Sequence, residues 1–198
     1  VSKVKELELR LAHAEAQLRL HQSISRFLAK VVNLPEALNS VLTMVAEFTH
    51  ADSCLLYLFT QGELVLCAAH GPNPAAVGEV RLRLEEGLTG WVARERRLLA
   101  ISREAYHDPR FKYFSSLPED TFEAFLSVPI LTRNRVVGVI NLQHRQPHSH
   151  SGEEMEMLTM VGQQVGALIT LASLDAEKFA QLDFAELVLG ARVGAPES

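Results

Sequence analysis

Residues 125–145 read FLSVPILTRNRVVGVINLQHR. Two apolar, alternating runs flank a polar tip at Thr132, Arg133 and Asn134, a pattern that predicts a β-hairpin. A period of two sorts its side chains between the two faces of a sheet. Phe125 and Ser127 point one way, Leu126 and Val128 the other; on the returning strand Asn141 and Gln143 alternate with Ile140 and Leu142. Upstream, SCLLYLFT (53–60) and ELVLCAAH (63–70), linked by Gln61-Gly62, predict a second hairpin. VRLRL (80–84) reads as a strand with one wet face, GLTGWVARERR (87–97) as a short helix with glycines at its entry, and LLAIS (98–102) as another short strand.

Outside this β-rich centre the period changes. Residues 3–28 contain neither Gly nor Pro, and Val4, Leu7, Leu11, Ala14, Leu18, His21, Ser25 and Leu28 recur on steps of three and four. That seam suits an amphipathic helix packed on its own domain and a parallel dimer helix equally well. Asn33-Leu34-Pro35 breaks the pattern and starts a second amphipathic helix. A last helix begins at Ser151, which precedes Glu153 and Glu154, and runs through Leu158, Val161, Val165, Leu168 and Ala172. Gly162 and Gly166 share one face of it, where another backbone can approach; the seam extends toward Phe179 and Leu182 before a frayed tail. The expected fold is therefore α+β: a central, mostly antiparallel sheet with N- and C-terminal helices bundled on one face and a loop-covered pocket on the other. Three segments are expected: 1–30 as a dimerising helix, 31–173 as the globular domain, and 174–198 as a helical extension and tail.

With 47% hydrophobic and 22% charged residues over 198 positions, the composition is that of an ordinary globular chain, not of a disordered or repetitive one. A formal charge of −5 argues against a protein that coats nucleic acid or an acidic membrane. Cys54 and Cys67 lie in apolar runs and behave as small buried hydrophobes, not as a disulfide framework. No apolar run approaches a membrane span, and VSKVKELELR has no signal-peptide core. A cytoplasmic setting is expected. No nucleophile elbow, phosphate-binding glycine loop, zinc knuckle or metalloprotease helix occurs, so the chain is read as non-enzymatic.

The ordered set EEGLTGWVARERRLLAIS, DPRF, FLSVPI and VVGVINLQHR, followed by a terminal helix, resembles a GAF domain, a sensory module common in bacterial signalling proteins. The resemblance covers about residues 21–172. DPRFKYF, EDTFEAFLSVPI and INLQHRQPHSHSGEE are most similar to GAF domains of the nitrogen-related phosphotransferase enzyme I and of cytoplasmic regulators that join GAF to an RNA-binding output domain. It implies a noncatalytic module that holds a small ligand on the sheet face opposite the helices. Particular ligands can be weighed residue by residue. Bilin-binding relatives attach pigment through a cysteine near the pocket, and residues 102–125 contain none. Relatives that reduce methionine sulfoxide use several cysteines there. Haem-binding relatives need an axial histidine, for which only His107 in the long loop is placed. Cyclic-nucleotide relatives carry an Asn-Lys pair, whereas Asn141 here precedes Leu142. What remains is a noncovalent small metabolite, or, as the alternative, a ligand-free dimerisation or protein-interaction module whose pocket is filled by its own aromatic residues.

Loop 102–122 is too long for a tight connection, and loops of that length are usually functional. Within it Tyr106, His107, Asp108, Arg110 and Phe111 combine rings with polar groups, as a small-ligand site requires, although Phe111 and Phe114 would equally pin the loop to the sheet. Trp91, Phe125, Ser127 and Asn141 complete the candidate ligand-binding set. Residues 81–112 hold eight Lys or Arg against five Asp or Glu, a field suited to an anion such as a 2-oxo acid, an amino acid or a nucleotide phosphate. Arg94, Arg96 and Arg97 read better as a solvated face. A second candidate is His144, His148 and His150 with Glu153 and Glu154 nearby, a set of sound divalent-metal ligands. These histidines run from a strand end into a loop, where nothing in the sequence fixes their rings together, and a polar loop is the competing reading. The expected partners are a second copy through the terminal helices, a small-molecule ligand, and an output domain or regulator.

Overall fold

A computed structural model describes residues 3–29, 33–72, 74–113 and 122–173. Phe114, Phe179, Leu182 and the whole 174–198 extension lie outside them. The chain starts with α1 (Lys3–Leu28) and α2 (Leu34–Thr49), then the hairpin β1 (Ser53–Thr60) and β2 (Glu63–His70). The short β3 (Arg81–Arg83), helix α3 (Gly87–Glu95) and β4 (Leu99–Ile101) follow, then the hairpin β5 (Ala124–Thr132) and β6 (Arg135–His144), and finally α4 (Gly152–Ala172). The strands form one sheet in the order β3-β2-β1-β6-β5-β4, and every pairing is antiparallel. This is the expected α+β arrangement.

Turn chemistry fixes the two hairpins. Gln61 and Gly62 have φ of 50° and 89°, and Arg133 and Asn134 have 48° and 60°. Two consecutive positive values make the tight connection whose twist matches that of antiparallel strands. Each hairpin also carries an extra residue. Leu56 pairs with Ala68 and Tyr57 with Leu66, which leaves Cys67 bulged; Ile130 pairs with Gly138 and Leu131 with Val136, which leaves Val137 bulged. Such bulges bend a sheet and re-aim its side chains.

The alternation then divides the molecule into two layers. On one face Leu56, Leu126, Ile140 and Leu142 meet Val41 and Leu42 of α2 and Leu158, Val161 and Val165 of α4 in a single core. On the other face Leu55, Tyr57, Leu82 and Val139 pack with Val92 and Ala93 of α3. Caps set the helix starts. The Asn33 side chain accepts from Glu36 N–H with Pro35 in the first turn, and Ser151 Oγ accepts from Glu154 N–H. Gly166 faces β5, where a Cβ would lie 2.8 Å from Thr132 Oγ1, so the close approach allowed by small residues on α4 is made to the sheet.

The first helix departs from the expected seam. Its buried residues are Leu20 and Ile24, neither of which lies on that stripe, and they enter the same core as α2 and α4. His21 and Ser25 are hydrogen-bonded to the Gln164 amide on α4, so the C-terminal half of α1 faces its own domain. The larger apolar side chains decided the helix rotation there. In the N-terminal half the seam stays outside: Val4, Leu7, Leu11 and Leu18 are 54% to 61% exposed. No described helix is long and apolar enough to cross a membrane.

Candidate functional site

The face of the sheet away from α1, α2 and α4 is closed by α3 and the loop after β4. Between them lies a small cavity that opens to solvent. The sheet contributes Leu55, Tyr57, Leu82, Phe125, Asn141 and Gln143; the first turn of α3 contributes Gly87, Leu88 and Thr89; the loop contributes Phe111, Lys112 and Tyr113. Apolar walls with a few polar groups are the usual make-up of a small-molecule site.

Strand alternation explains the polar wall. Asn141 and Gln143 stand two apart on β6 and point into the cavity, while Ile140 and Leu142 point into the helical core. Asn141 is 2% exposed and joins three elements. Ser127 Oγ on β5 donates to its Oδ1 at 2.7 Å, and its Nδ2 donates to Thr89 Oγ1 on α3 at 2.7 Å. This chain orients the amide and fastens α3 over the sheet. Gln143 is 6% exposed, and its Oε1 has no hydrogen-bond partner among the described residues. Buried polar atoms are nearly always satisfied, so an orphan that lines a cavity marks a place for a hydrogen-bonding ligand. Opposite, the first turn of α3 presents backbone N–H groups that the helix itself does not use.

The mouth is held by an acidic latch. Glu86, just before α3, accepts from Arg83 N–H at 2.9 Å and pairs with Lys112 Nζ at 2.9 Å. These two contacts, the Arg83 N–H first, hold the Glu86 carboxyl below its ordinary range. The loop is thereby tied to the start of α3. Gly87 at φ +68° permits the turn between latch and helix, and a side chain there would crowd Lys112.

Of the residues expected from sequence, Phe111, Phe125 and Asn141 line the cavity, and Ser127 stands behind Asn141. The other five, Trp91, Tyr106, His107, Asp108 and Arg110, lie outside its lining. Arg110 makes a bidentate pair with Asp108: Nε donates to Oδ1 at 2.8 Å and Nη2 to Oδ2 at 2.7 Å. That hydrogen-bonded pairing holds the Asp108 carboxyl below its ordinary range. The guanidinium also lies 4.6 Å from the Trp91 ring centre, so Trp91, Asp108 and Arg110 brace the loop as a unit. The Tyr106 hydroxyl donates to Glu123 Oε1 at 2.9 Å, and the exposed His107 ring meets Tyr106 edge-on. His107, the one loop histidine placed for an axial ligand, therefore does not reach the cavity. Arg94, Arg96 and Arg97 are exposed and off the cavity, as a solvated face requires. Sequence reading missed Thr89, Glu86 and the role of Gln143. The last was available from period two, since Gln143 follows Asn141 by two residues; Thr89 and Glu86 become legible only once α3 is docked.

Both thiols lie on the helical side. Cys54 is in the core shared with α2 and α4, where burial pushes its pKa above the ordinary range, and Cys67 packs against that same core. Neither lines the cavity.

The three histidines are brought together, contrary to the expectation that the loop leaves their rings unfixed. Glu123 N–H donates to His144 O at 2.9 Å, Arg145 N–H to Asp52 Oδ2 at 2.7 Å, and His148 N–H to Ser102 O at 2.9 Å. The loop is thus pinned along its length and delivers the imidazoles to Glu154 on the first turn of α4. Burial, and then the neighbouring His148, pushes the His144 pKa down to about 4. Burial alone would raise the Glu154 carboxyl, but contacts with His150 and His148 outweigh it and hold the group below its ordinary range.

The GAF domain family model matches residues 33–169. A phosphoenolpyruvate-dependent phosphotransferase system protein of Escherichia coli is 29% identical over 160 residues, which are 80% of this chain and 21% of that protein. The Nif-specific regulatory protein of Azospirillum brasilense is 25% identical over 177 residues, 86% of this chain and 28% of that one. The chain thus spans less than a third of the length of these curated relatives. Among solved structures, the GAF domain from a phosphoenolpyruvate-protein phosphotransferase of Coxiella burnetii superposes with a TM-score of 0.75 at 28% identity, covering 80% of this chain and 95% of that one.

Proposed function

The chain belongs to the GAF domain family, and we propose that it is a sensory module that binds a small polar metabolite without chemical change. The observation that carries this reading is Gln143 Oε1 in the cavity wall, buried and without a hydrogen-bond partner among the described residues. It asks for a donor such as an ammonium or hydroxyl group. The N–H groups that open α3 ask for an acceptor such as a carboxylate. A ligand of amino-acid or oxo-acid size, with an apolar body against Phe111 and Phe125, satisfies all three surfaces. The anion is held by α3, since Arg110 is paired with Asp108 and Lys112 with Glu86. A catalytic reading has little to work with, because the two thiols stand across the sheet from the cavity.

Binding stiffens α3 and the loop tied to it, and the sheet passes that change to α1 and α4 on its other face. The exposed stripe Val4, Leu7, Leu11 and Leu18 pairs with a second copy, so that the helices report ligand to an output domain or partner regulator. The relatives support a regulatory context of this kind, being much longer proteins in which such a module occupies one part.

The ligand test is a thermal-shift screen of the full chain against amino acids, 2-oxo acids and nucleotides. At a hundredfold excess over Kd a true ligand adds about 2.7 kcal/mol, or roughly 5 °C or more. The expected hit loses its shift in Phe111→Ala; a flat screen across all three classes would end the reading. For the dimer, Leu7→Glu with Leu11→Glu should convert a sedimenting dimer to a monomer that keeps the parent circular dichroism spectrum, since neither side chain enters the core. Removing residues 1–29 is a poorer probe because Leu20 and Ile24 go with them.

A further inference from the structure

On the helical side of β6, directly behind the cavity, the chain gathers His144, His148, His150 and Glu154, with one ligand atom from each lying within 4.8 Å of the others. Glu154 is the hub: its Oε2 is 2.9 Å from His148 Nε2, and its Oε1 is 3.4 Å from His150 Nδ1 and 4.0 Å from His144 Nε2. We propose that these four residues are a binding site for a divalent transition ion of the Zn²⁺ type.

Three features point there. The first is chemistry, since three imidazoles and a carboxylate are a borderline-soft N₃O set that suits zinc better than magnesium or calcium. The second is spacing. Ligand bonds of about 2.0–2.1 Å to a tetrahedral ion put neighbouring donor atoms about 3.3 Å apart, and the carboxylate-to-ring distances bracket that value. The third is unmet hydrogen bonding. Among the described residues, His144 Nε2, both ring nitrogens of His150 and Glu154 Oε1 are buried without a hydrogen bond. Four orphaned polar atoms at one point would be costly in a finished protein interior, and an ion coordinated at that point resolves several at once.

The surroundings suit such a site. Ser151 caps α4 and fixes Glu154 through its N–H, while the His148 N–H bond to Ser102 O fixes the loop. A cleft bordered by His13, Gln17, Phe48 and Thr49 leads to His148 and Glu154 and gives the ion a way in. With four protein ligands the site is closed and structural in type. It would clamp the end of β6 to the start of α4, on the far side of the strand from Gln143.

The test uses the full chain without an affinity tag, stripped with EDTA. ZnCl₂ is expected to bind at one equivalent, survive gel filtration and raise Tm. CoCl₂ is expected to give the intense visible bands of a four-coordinate ion. Glu154→Gln, close in shape to the native residue, and His148→Gln, at a half-exposed position, should each weaken Zn²⁺ at least about 100-fold. A circular dichroism spectrum identical to that of the parent chain establishes that they fold. Failure to retain zinc, a six-coordinate cobalt spectrum, or retention unchanged in both variants would each overturn the proposal.

Discussion

Replacing Gly138 by alanine is expected to destabilise the fold by about 3 kcal/mol or more, enough to leave a large unfolded population. Gly138 sits in the middle of the sheet, opposite Leu58 of β1 and Ile130 of β5. A Cβ there would overlap the Tyr57 carbonyl oxygen and come within 3.0 Å of Leu58 Cδ2 and 3.2 Å of Ile130 Cδ1. The first of these neighbours is main chain of a paired strand, so relief requires β1 and β6 to separate at the centre of the ladder. Gly152→Ala is the matched comparison. It lies at the start of α4 with nothing within 4 Å of the added carbon, and it should hold or slightly raise stability. Urea midpoints for the two variants measure the contrast, and equal midpoints would mean that the β1–β6 pairing is not as described.

The second large effect is expected at Asn141→Leu. The substitution keeps the branching and the number of side-chain heavy atoms but removes both hydrogen-bonding atoms of Asn141, leaving the Ser127 and Thr89 hydroxyls without the bonds they now make. Each orphaned group costs about 1–3 kcal/mol, so a total near 3 kcal/mol is expected. Ser127→Ala alone should cost only about 1 kcal/mol. In the double variant the losses should fall well short of additive, because the Ser127 hydroxyl contributes little once its partner is gone. Strict additivity would indicate that the two side chains act independently. The loss also detaches α3 from the sheet, so metabolite binding should disappear with it.

How much of this could be read from sequence depends on whether the deciding force was local. The hairpins were legible because period two and the pairs Gln61-Gly62 and Arg133-Asn134 act over a few residues, and the structure gives those pairs the positive φ the turns need. The assignment of Asn141 and Phe125 to the face away from the helices followed from the same alternation. The resemblance to the GAF family agreed with it, and the family match bears that resemblance out. Long-range docking was not legible. The α1 seam pointed to His21 and Ser25, yet tertiary packing chose Leu20 and Ile24 one position away. In loop 102–122 the charged residues suited a ligand by type, but Asp108 and Arg110 are adjacent enough to satisfy each other, and Tyr106 found Glu123. The histidines looked scattered because a loop has no intrinsic face. Hydrogen bonds to Asp52 and Ser102, distant in sequence, create one.

The central claim is that the Gln143 wall of the cavity receives a small polar metabolite, and amide NMR of the full chain, titrated with free amino acids and 2-oxo acids, tests it most directly. The account predicts that at least one of these compounds shifts the backbone amides of Gly87, Leu88 and Thr89, the amide of Phe111 and the Gln143 side-chain amide together. In Gln143→Leu, which keeps the wall filled but offers no hydrogen bond, the same compound should bind at least about tenfold more weakly, the worth of one buried hydrogen bond. Shifts confined to other surfaces, or equal affinity in Gln143→Leu, would contradict it.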